Sequence, residues 1–420
     1  MNDLVYAIWL SLSCTPGSET FSKLLDKFRD AKGIFEADDA DIISCIGSKS
    51  KDRTALGDKS LDKAQEIHDF CIKKGVGMVS YFDREYPTCL KEIKNPPVLL
   101  YYRGSLPDFD NEFAVAIVGT RHLSQYGRKN TFIVANDLAR AGALIVSGMA
   151  IGIDGVALAG ALAAGKKTVA VIGSGIDVCY PIQHKRLARE IVKQGCVITE
   201  YAPGTRPERF NFPTRNRIIS ALSRATLVME GKERSGSLIT ARHAIEQGRV
   251  VYAFPGNVGN DGSEASNLLL RNGARIFTSA DDIVRDFETK SLGRLNPFKL
   301  SEKSEVDMNE TLRKLEVACV AANDNVFVPQ RSNKEAKYPI GNEEKEEPAV
   351  EKSDVDEKLL LSFDKSLIAL YKKIPVDKDI SVESLVDGEH SLRDVMQGVL
   401  KLEISRFITM LPGDRIKRNI

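Results

Sequence analysis

Residues 210–240 read FNFPTRNRIISALSRATLVMEGKERSGSLIT. The stretch places two aromatics and two arginines, Phe210, Phe212, Arg215 and Arg217, in a short turn ahead of a helix. An apolar strand follows over Ala225–Met229, and a small-residue loop, Ser235-Gly236-Ser237, then opens another helix. Strand, loop and helix start in that order is how an open α/β sheet builds an anion site, because the first amides of the helix have no partner within it. Arginines and an aromatic beside such a site point to a nucleic acid strand rather than a small metabolite: a base stacks on a ring, and a phosphate pairs with a guanidinium.

Outward from this stretch, short β-branched runs alternate with helical stretches from about 97 to 287: Val98–Tyr102, Ala114–Val118, Leu144–Ser147, Val169–Ile172, Val197–Thr199, Leu227–Met229, Val250–Phe254 and Arg275–Thr278. Most of these runs are continuously apolar, which marks strands buried on both faces of a mostly parallel sheet. The expected fold is α/β, extended and Rossmann-like, over residues 85–287. Residues 1–84 read as a small helical domain, with Val5, Ile8, Trp9 and Leu12 on one helix face and Phe21, Leu24, Leu25 and Phe28 on another. Thr15-Pro16-Gly17-Ser18 is a turn between them. That domain is either a scaffold or a DNA contact, but it lacks the Gly-x-Gly hairpin of helix-hairpin-helix motifs. Residues 288–356 lose periodicity and carry the charged run Asn342–Pro348, so they read as a linker. Residues 357–420 read as a winged-helix-like module that binds either DNA or protein: helices, a capping box at Ser391–Asp394, and a hairpin around Pro412-Gly413-Asp414.

The bulk numbers set bounds. The chain has 420 residues, 43% hydrophobic and 28% charged, which fits a globular protein with a sizeable core. A net charge of +1 requires any nucleic-acid site to be a local patch. The seven cysteines include no C-x-x-C pair and read as free thiols in a reducing cytoplasm. No signal peptide, membrane span or metal-ligating histidine spacing is visible, and no metal or cofactor is expected.

Three further strand-to-helix turns bear on the site. Gly119-Thr120-Arg121 follows the strand ending at Val118; it is either a phosphate cradle with a cationic partner or a plain turn with a solvated arginine. Ser147–Asp154 carries Gly148 and Gly152, for packing or for ligand approach. Gly173-Ser174-Gly175 begins like a dinucleotide fingerprint, but Val178 stands where the third glycine belongs. Lys185 and Arg186 follow Tyr180-Pro181 on a helix pinned to the core by Leu187 and Ile191, and they serve either the site or solvent. Gly160–Lys166 fits a P-loop pattern only superficially. Lys167 replaces the magnesium-binding hydroxyl, and the segment runs helix to strand. Glu200 and Glu230 end strands without a nucleophile beside them and read as structural carboxylates paired with arginines.

The blocks AIVGTRHLSQYG, IVSGMAIGID, VAVIGSGIDVCYP, FNFPTRNRIISALS, SGSLITARHAIEQGRVVYAFPG and SNLLLRNGA, in this order over residues 85–285, resemble the DNA-processing protein A family (DprA, also called Smf). The resemblance implies an extended Rossmann fold that binds single-stranded DNA, loads a RecA-type recombinase onto it, and forms a homodimer. It implies a role in natural transformation or recombination, and no enzymatic activity. Carried over residue by residue, the implied DNA-binding positions are Arg121; Lys185; Phe212, Arg215, Asn216 and Arg217; and Ser235, Gly236 and Ser237; the reading of the first turn adds Gly119 and Thr120 as its amide cradle. The chain departs from the family pattern at Leu158, where a histidine is usual, and at Ala265, where a glycine is usual. The rival class is a Rossmann-fold enzyme that binds or hydrolyses nucleotides with a glutamate following a glycine-rich loop. Here no acid follows Ser235-Gly236-Ser237 until Glu246.

Overall fold

The computed structural model describes residues 3–289, 291, 293–301, 304–321, 365–375, 378–387, 392–404, 407–411 and 415–418. They fall into two compact units: a large one of the described residues up to Ala321 except 271–273, and a small one of 271–273 with the described residues from Lys365 onward.

In the large unit the apolar runs become strands: β1 (Gly77–Ser80), β2 (Leu99–Gly104), β3 (Ala114–Val118), β4 (His122–Leu123), β5 (Leu144–Ser147), β6 (Thr168–Val171), β7 (Cys196–Thr199), β8 (Ala225–Val228), β9 (Val250–Ala253), β10 (Arg275–Ile276) and β11 (Val320–Ala321). Nine of them form one sheet in the order β1-β2-β7-β6-β5-β3-β8-β9-β10. Only β1–β2 and β2–β7 pair antiparallel. The other pairs are parallel, as the continuous runs require: a strand buried on both faces has no polar side to alternate.

From β3 the chain steps outward through β5, β6 and β7, then returns to β8 on the opposite side of β3. Right-handed crossovers made in opposite directions put their helices on opposite faces of the sheet. The helices Gln125–Arg140 and Ile153–Ala163 pack together on one face, and Asn211–Ala221 and Gly236–Glu246 pack together on the other. The carboxyl ends of β3 and β8 therefore flank the crevice where the strand order reverses, the usual ligand position in such sheets.

The N-terminal helices share this core. Val5, Ile8 and Trp9 of helix Asp3–Ser13 lie in one apolar cluster with Leu99, Tyr101 and Val115. Thr15–Ser18 is a tight turn closed by a Ser18 N–H to Thr15 carbonyl bond of 3.0 Å, and Gly17 supplies its positive φ of 77°. Buried Asp52 secures the turn by accepting from the hydroxyls of Thr15, Ser18 and Thr20.

Three readings change. Residues 1–80 are not wholly helical: the left-handed Gly75 ends helix Asp62–Lys74, and Gly77–Ser80 adds an antiparallel edge strand. The turn expected over Phe210–Arg217 is helix from Asn211 onward, because Pro213 sits in the first turn, where its missing N–H costs no bond. The stretch expected as linker contains the helix Met308–Lys314 and strand β11, which pairs parallel with β4. The remainder of that stretch, 322–356, lies outside the described residues.

The small unit packs helix Lys365–Lys373 against helix Leu392–Ile404 and carries a three-stranded sheet built of Ile380–Ser381, Arg415–Arg418 and Ile408–Leu411. Leu370, Tyr371, Val395, Val399, Leu402, Phe407 and Ile416 form its core. Helices followed by a terminal hairpin give it a winged-helix-like arrangement. Ser391 and the turn Pro412–Asp414 lie outside the described residues. No described helix is long and apolar enough to cross a membrane.

Replacing Asp52 with alanine strips the acceptor from three hydroxyls at once. The expected loss is about 2–3 kcal/mol of unfolding free energy, read by urea denaturation of the full chain.

Candidate nucleic-acid interface

Four loops meet at the carboxyl ends of β3, β5, β6 and β8. The first and last are tied by backbone: the Thr120 N–H donates to the Glu230 carbonyl at 2.7 Å. Glu230 itself is buried, and its carboxylate accepts from the Ser124 N–H at 2.9 Å and from the Ser124 hydroxyl. Gly119 is a close-approach glycine. A Cβ there would stand 2.6 Å from Ile153 Cγ1 and 2.8 Å from the Glu230 carbonyl oxygen. The amide cradle expected at Gly119–Arg121 is thus partly consumed, since the N–H groups of Thr120 and His122 already have partners.

What remains open at this turn is Arg121. It is exposed and forms no salt bridge among the described residues, and its guanidinium lies 5.7 Å from the centre of the Phe212 ring. Phe212 projects from the first turn of helix Asn211–Ala221 over Gly173, where a Cβ would come within 3.0 Å of the ring. On the same ring stand Arg215, at 5.9 Å, and Tyr180, whose ring centre is 5.4 Å away and inclined by 36°. Cations over an aromatic face are attracted by its quadrupole. Tyr180 is 40% exposed and Phe210 71% exposed, whereas Phe212 is only partly accessible.

Arg215 is buried. Its Nη1 donates to the Gly148 carbonyl at 2.7 Å and to the Val171 carbonyl, bridging the ends of β5 and β6. Burial brings its guanidinium down to about 10, with Asp154 acting in the opposite sense, so it stays charged at neutral pH. Asp154 accepts from the Gly148 N–H at 3.2 Å, and burial pushes its carboxyl up while Arg215 pulls it back. Gly148 has no room for a side chain, because a Cβ would lie 2.6 Å from both the Arg215 guanidinium and the Asp154 carboxylate.

Arg217 does not join this cluster. Its Nη2 pairs with Glu200 at 2.6 Å, both side chains being less than a tenth exposed. The expectation of an arginine–carboxylate pair holds for Glu200; Glu230 instead caps the Ser124 turn. Two residues earlier on the helix, Arg215 faces the sheet ends, and the helical turn carries Arg217 round to β7 and the Thr15–Ser18 turn, where Gly17 approaches it. Asn216 reaches the other helix start: its Nδ2 donates to the Gly236 carbonyl at 3.4 Å. Ser235 caps that helix by accepting from the Ser237 N–H, and the Ser237 hydroxyl donates to Ser235 Oγ at 2.8 Å.

Lys185 is exposed at the start of helix Lys185–Gln194. Arg189 is one turn further on, also exposed, and both cations act on the thiol of Cys179 beside Tyr180. Arg189 and Tyr180 are additions to the residues named from sequence. The spacing of four that sets Lys185 and Arg189 on one helix face is the signal that finds the first. Arg186 is drawn toward Glu316 at 3.6 Å. The two departures are structural in place: Leu158 is fully buried in helix Ile153–Ala163, and buried Ala265 donates its N–H to the Gly231 carbonyl at 2.8 Å. Among the described residues no group of three or more His, Cys, Asp or Glu could hold a metal ion.

Arg217→Ala leaves Glu200 buried without its partner, and such a break costs about 3–5 kcal/mol. Urea unfolding should show that loss, and the double variant Arg217→Met/Glu200→Leu should recover most of it. A fully stable Arg217→Ala protein would remove Arg217 from this structural role.

A family model described as DNA recombination-mediator protein A matches residues 77–288, which hold the whole nine-stranded sheet and every candidate residue above. The chain is 46% identical over 209 residues to the DNA processing protein DprA of Streptococcus pneumoniae, spanning 50% of this chain and 73% of that protein. It is 36% identical over 226 residues to DprA of Bacillus subtilis, spanning 54% and 76% respectively. The X-ray structure of DprA from Streptococcus pneumoniae is similar to it with a TM-score of 0.58 and 36% identity, covering 68% of this chain and 98% of that one. The fold, the order of the motifs and the extent of these matches agree: the chain belongs to the DNA recombination-mediator protein A family.

Proposed function

We propose that this protein binds single-stranded DNA along the carboxyl rim of its sheet and passes it to a RecA-type recombinase. The carrying observation is that exposed Arg121 and Tyr180 both stand against Phe212, with Lys185 and Arg189 near Tyr180. Cations take the phosphates and rings take the bases, whatever the base identity. Gly119, Thr120, Arg215, Asn216, Ser235, Gly236 and Ser237 shape the surface on which the strand lies. Arg217 supports it from below through Glu200.

Binding without turnover is the reading the carboxylates favour. Glu230 is occupied by Ser124, Glu200 by Arg217, and Glu246 lies against Arg242 and His243 at the far end of its helix. A cytoplasmic homodimer, as the family resemblance implies, would set two rims on one strand, and the second would engage at high effective concentration. The division into a helical N-terminal part (1–84), the DNA-binding part (85–287), a linker (288–356) and an accessory module (357–420) belongs to the same proposal. Transformation or recombination is the setting it serves.

Fluorescence anisotropy with a labelled oligo-dT across a salt series tests this. Arg121→Ala and Lys185→Ala should each weaken binding several-fold, and each should flatten the log–log salt slope by about 0.7, the share of one phosphate on a single strand. Unchanged affinity and slope in both variants would overturn the site. Tyr180→Ala should cost about 1–3 kcal/mol of binding with the slope kept, and Tyr180→Phe should bind like the wild type.

A further inference from the structure

Beyond the matched family segment, which ends at 288, the chain returns to the rim. Helix Met308–Lys314 packs on helix Ile153–Ala163, with Leu312 and Val317 buried. Glu316, in a left-handed conformation with φ 52°, turns the chain, and the next five residues run past three of the four rim loops. The Ala318 N–H donates to His184 Nε2 at 3.0 Å, and the Ala318 carbonyl accepts from the Gly152 N–H at 3.1 Å. Val320 and Ala321 then pair with His122 and Leu123, directly after Arg121.

His184 completes the tie. Its Nδ1 faces the Met149 carbonyl at 3.0 Å, so the ring carries its proton on Nδ1 and accepts at Nε2. Burial lowers its pKa, which keeps the ring neutral and the acceptor available at neutral pH. Met149 is itself a buried non-glycine residue at φ 56°, a backbone state that persists where its surroundings hold it. Gly152, at φ 90°, has no room for a side chain, because a Cβ there would collide with the Thr120 carbonyl oxygen and lie 2.7 Å from that of Arg121, so the β5 loop is packed directly on the Arg121 turn. One residue, Ala318, thus joins the loop before helix Ile153–Ala163 to the residue that precedes Lys185.

We propose that Glu316–Ala321 is a strap that holds the Arg121 turn, the Met149–Gly152 loop and the His184–Lys185 helix start in the shape that grips single-stranded DNA. Ala318 and His184 are positioning residues that act through Arg121 and Lys185. The inference rests on the rim being the DNA site.

Ala318→Pro in the full chain deletes the N–H given to His184, and Ala318→Gly keeps it. Hydrogen exchange and oligo-dT anisotropy are read on both variants and on the wild type. In Ala318→Pro, exchange at residues 149–153 and 121–123 should quicken at least tenfold, with β6 and β8 as protected as in the wild type, and DNA affinity should fall at least fivefold. Ala318→Gly should match the wild type in both. Unchanged exchange in those loops overturns the strap. So does unchanged affinity of Ala318→Pro when the wild type binds. A wild type that fails to bind oligo-dT overturns the DNA reading itself, and is told apart because it fails without any substitution.

Discussion

Arg215 is 4% exposed, and its guanidinium donates to backbone carbonyls at the ends of two adjacent parallel strands. The rim depends on this interaction. Strand ends leave carbonyls that need donors, and a buried charge needs a counterion, which Asp154 supplies from the next helix. With the ends of β5 and β6 fixed, Phe212 is held over Gly173, and Arg121 and Tyr180 find a ring to stand on. The charge that organises the site is therefore not the charge a ligand would meet. Arg215 works from inside, while Arg121, Lys185 and Arg189 remain in solvent.

The same division between buried and exposed charge holds for the acids of the crevice. Three acids near this rim have partners: Asp154 lies by the Arg215 guanidinium and accepts from the Gly148 amide, Glu230 accepts from the Ser124 turn, and Glu200 pairs with Arg217. A net charge of +1 is no obstacle, because a local group of exposed cations such as Lys185 and Arg189 is enough to meet a phosphate.

The sheet was legible in the sequence because its physics is local. Ala114–Val118 and Leu144–Ser147 have the bounds that their continuous apolar runs predict, and burial on both faces leaves no other pattern. The start of helix Asn211–Ala221 was not, since Pro213 reads as a breaker yet is tolerated in a first turn. The β1 edge strand is four residues long beside two glycines, too short for periodicity to separate it from the preceding helix. Within the site, Arg121, Lys185 and Phe212 follow from loop position and residue type. The burial of Arg217 does not, because its partner comes from another strand end 17 residues earlier. The strap left no mark either: Ala318 acts through its own N–H and carbonyl, and backbone bonds impose no residue pattern.

The proposed site lays an unpaired strand across Tyr180, Phe212 and Arg121. Photocrosslinking of the full chain to an oligonucleotide carrying 4-thiothymidine, followed by peptide mass spectrometry, tests it directly. Crosslinks are expected to concentrate in the peptides containing Tyr180 and Phe210–Phe212. Crosslinks confined to the N-terminal helices or to residues 365–418, with none at the rim, would contradict it.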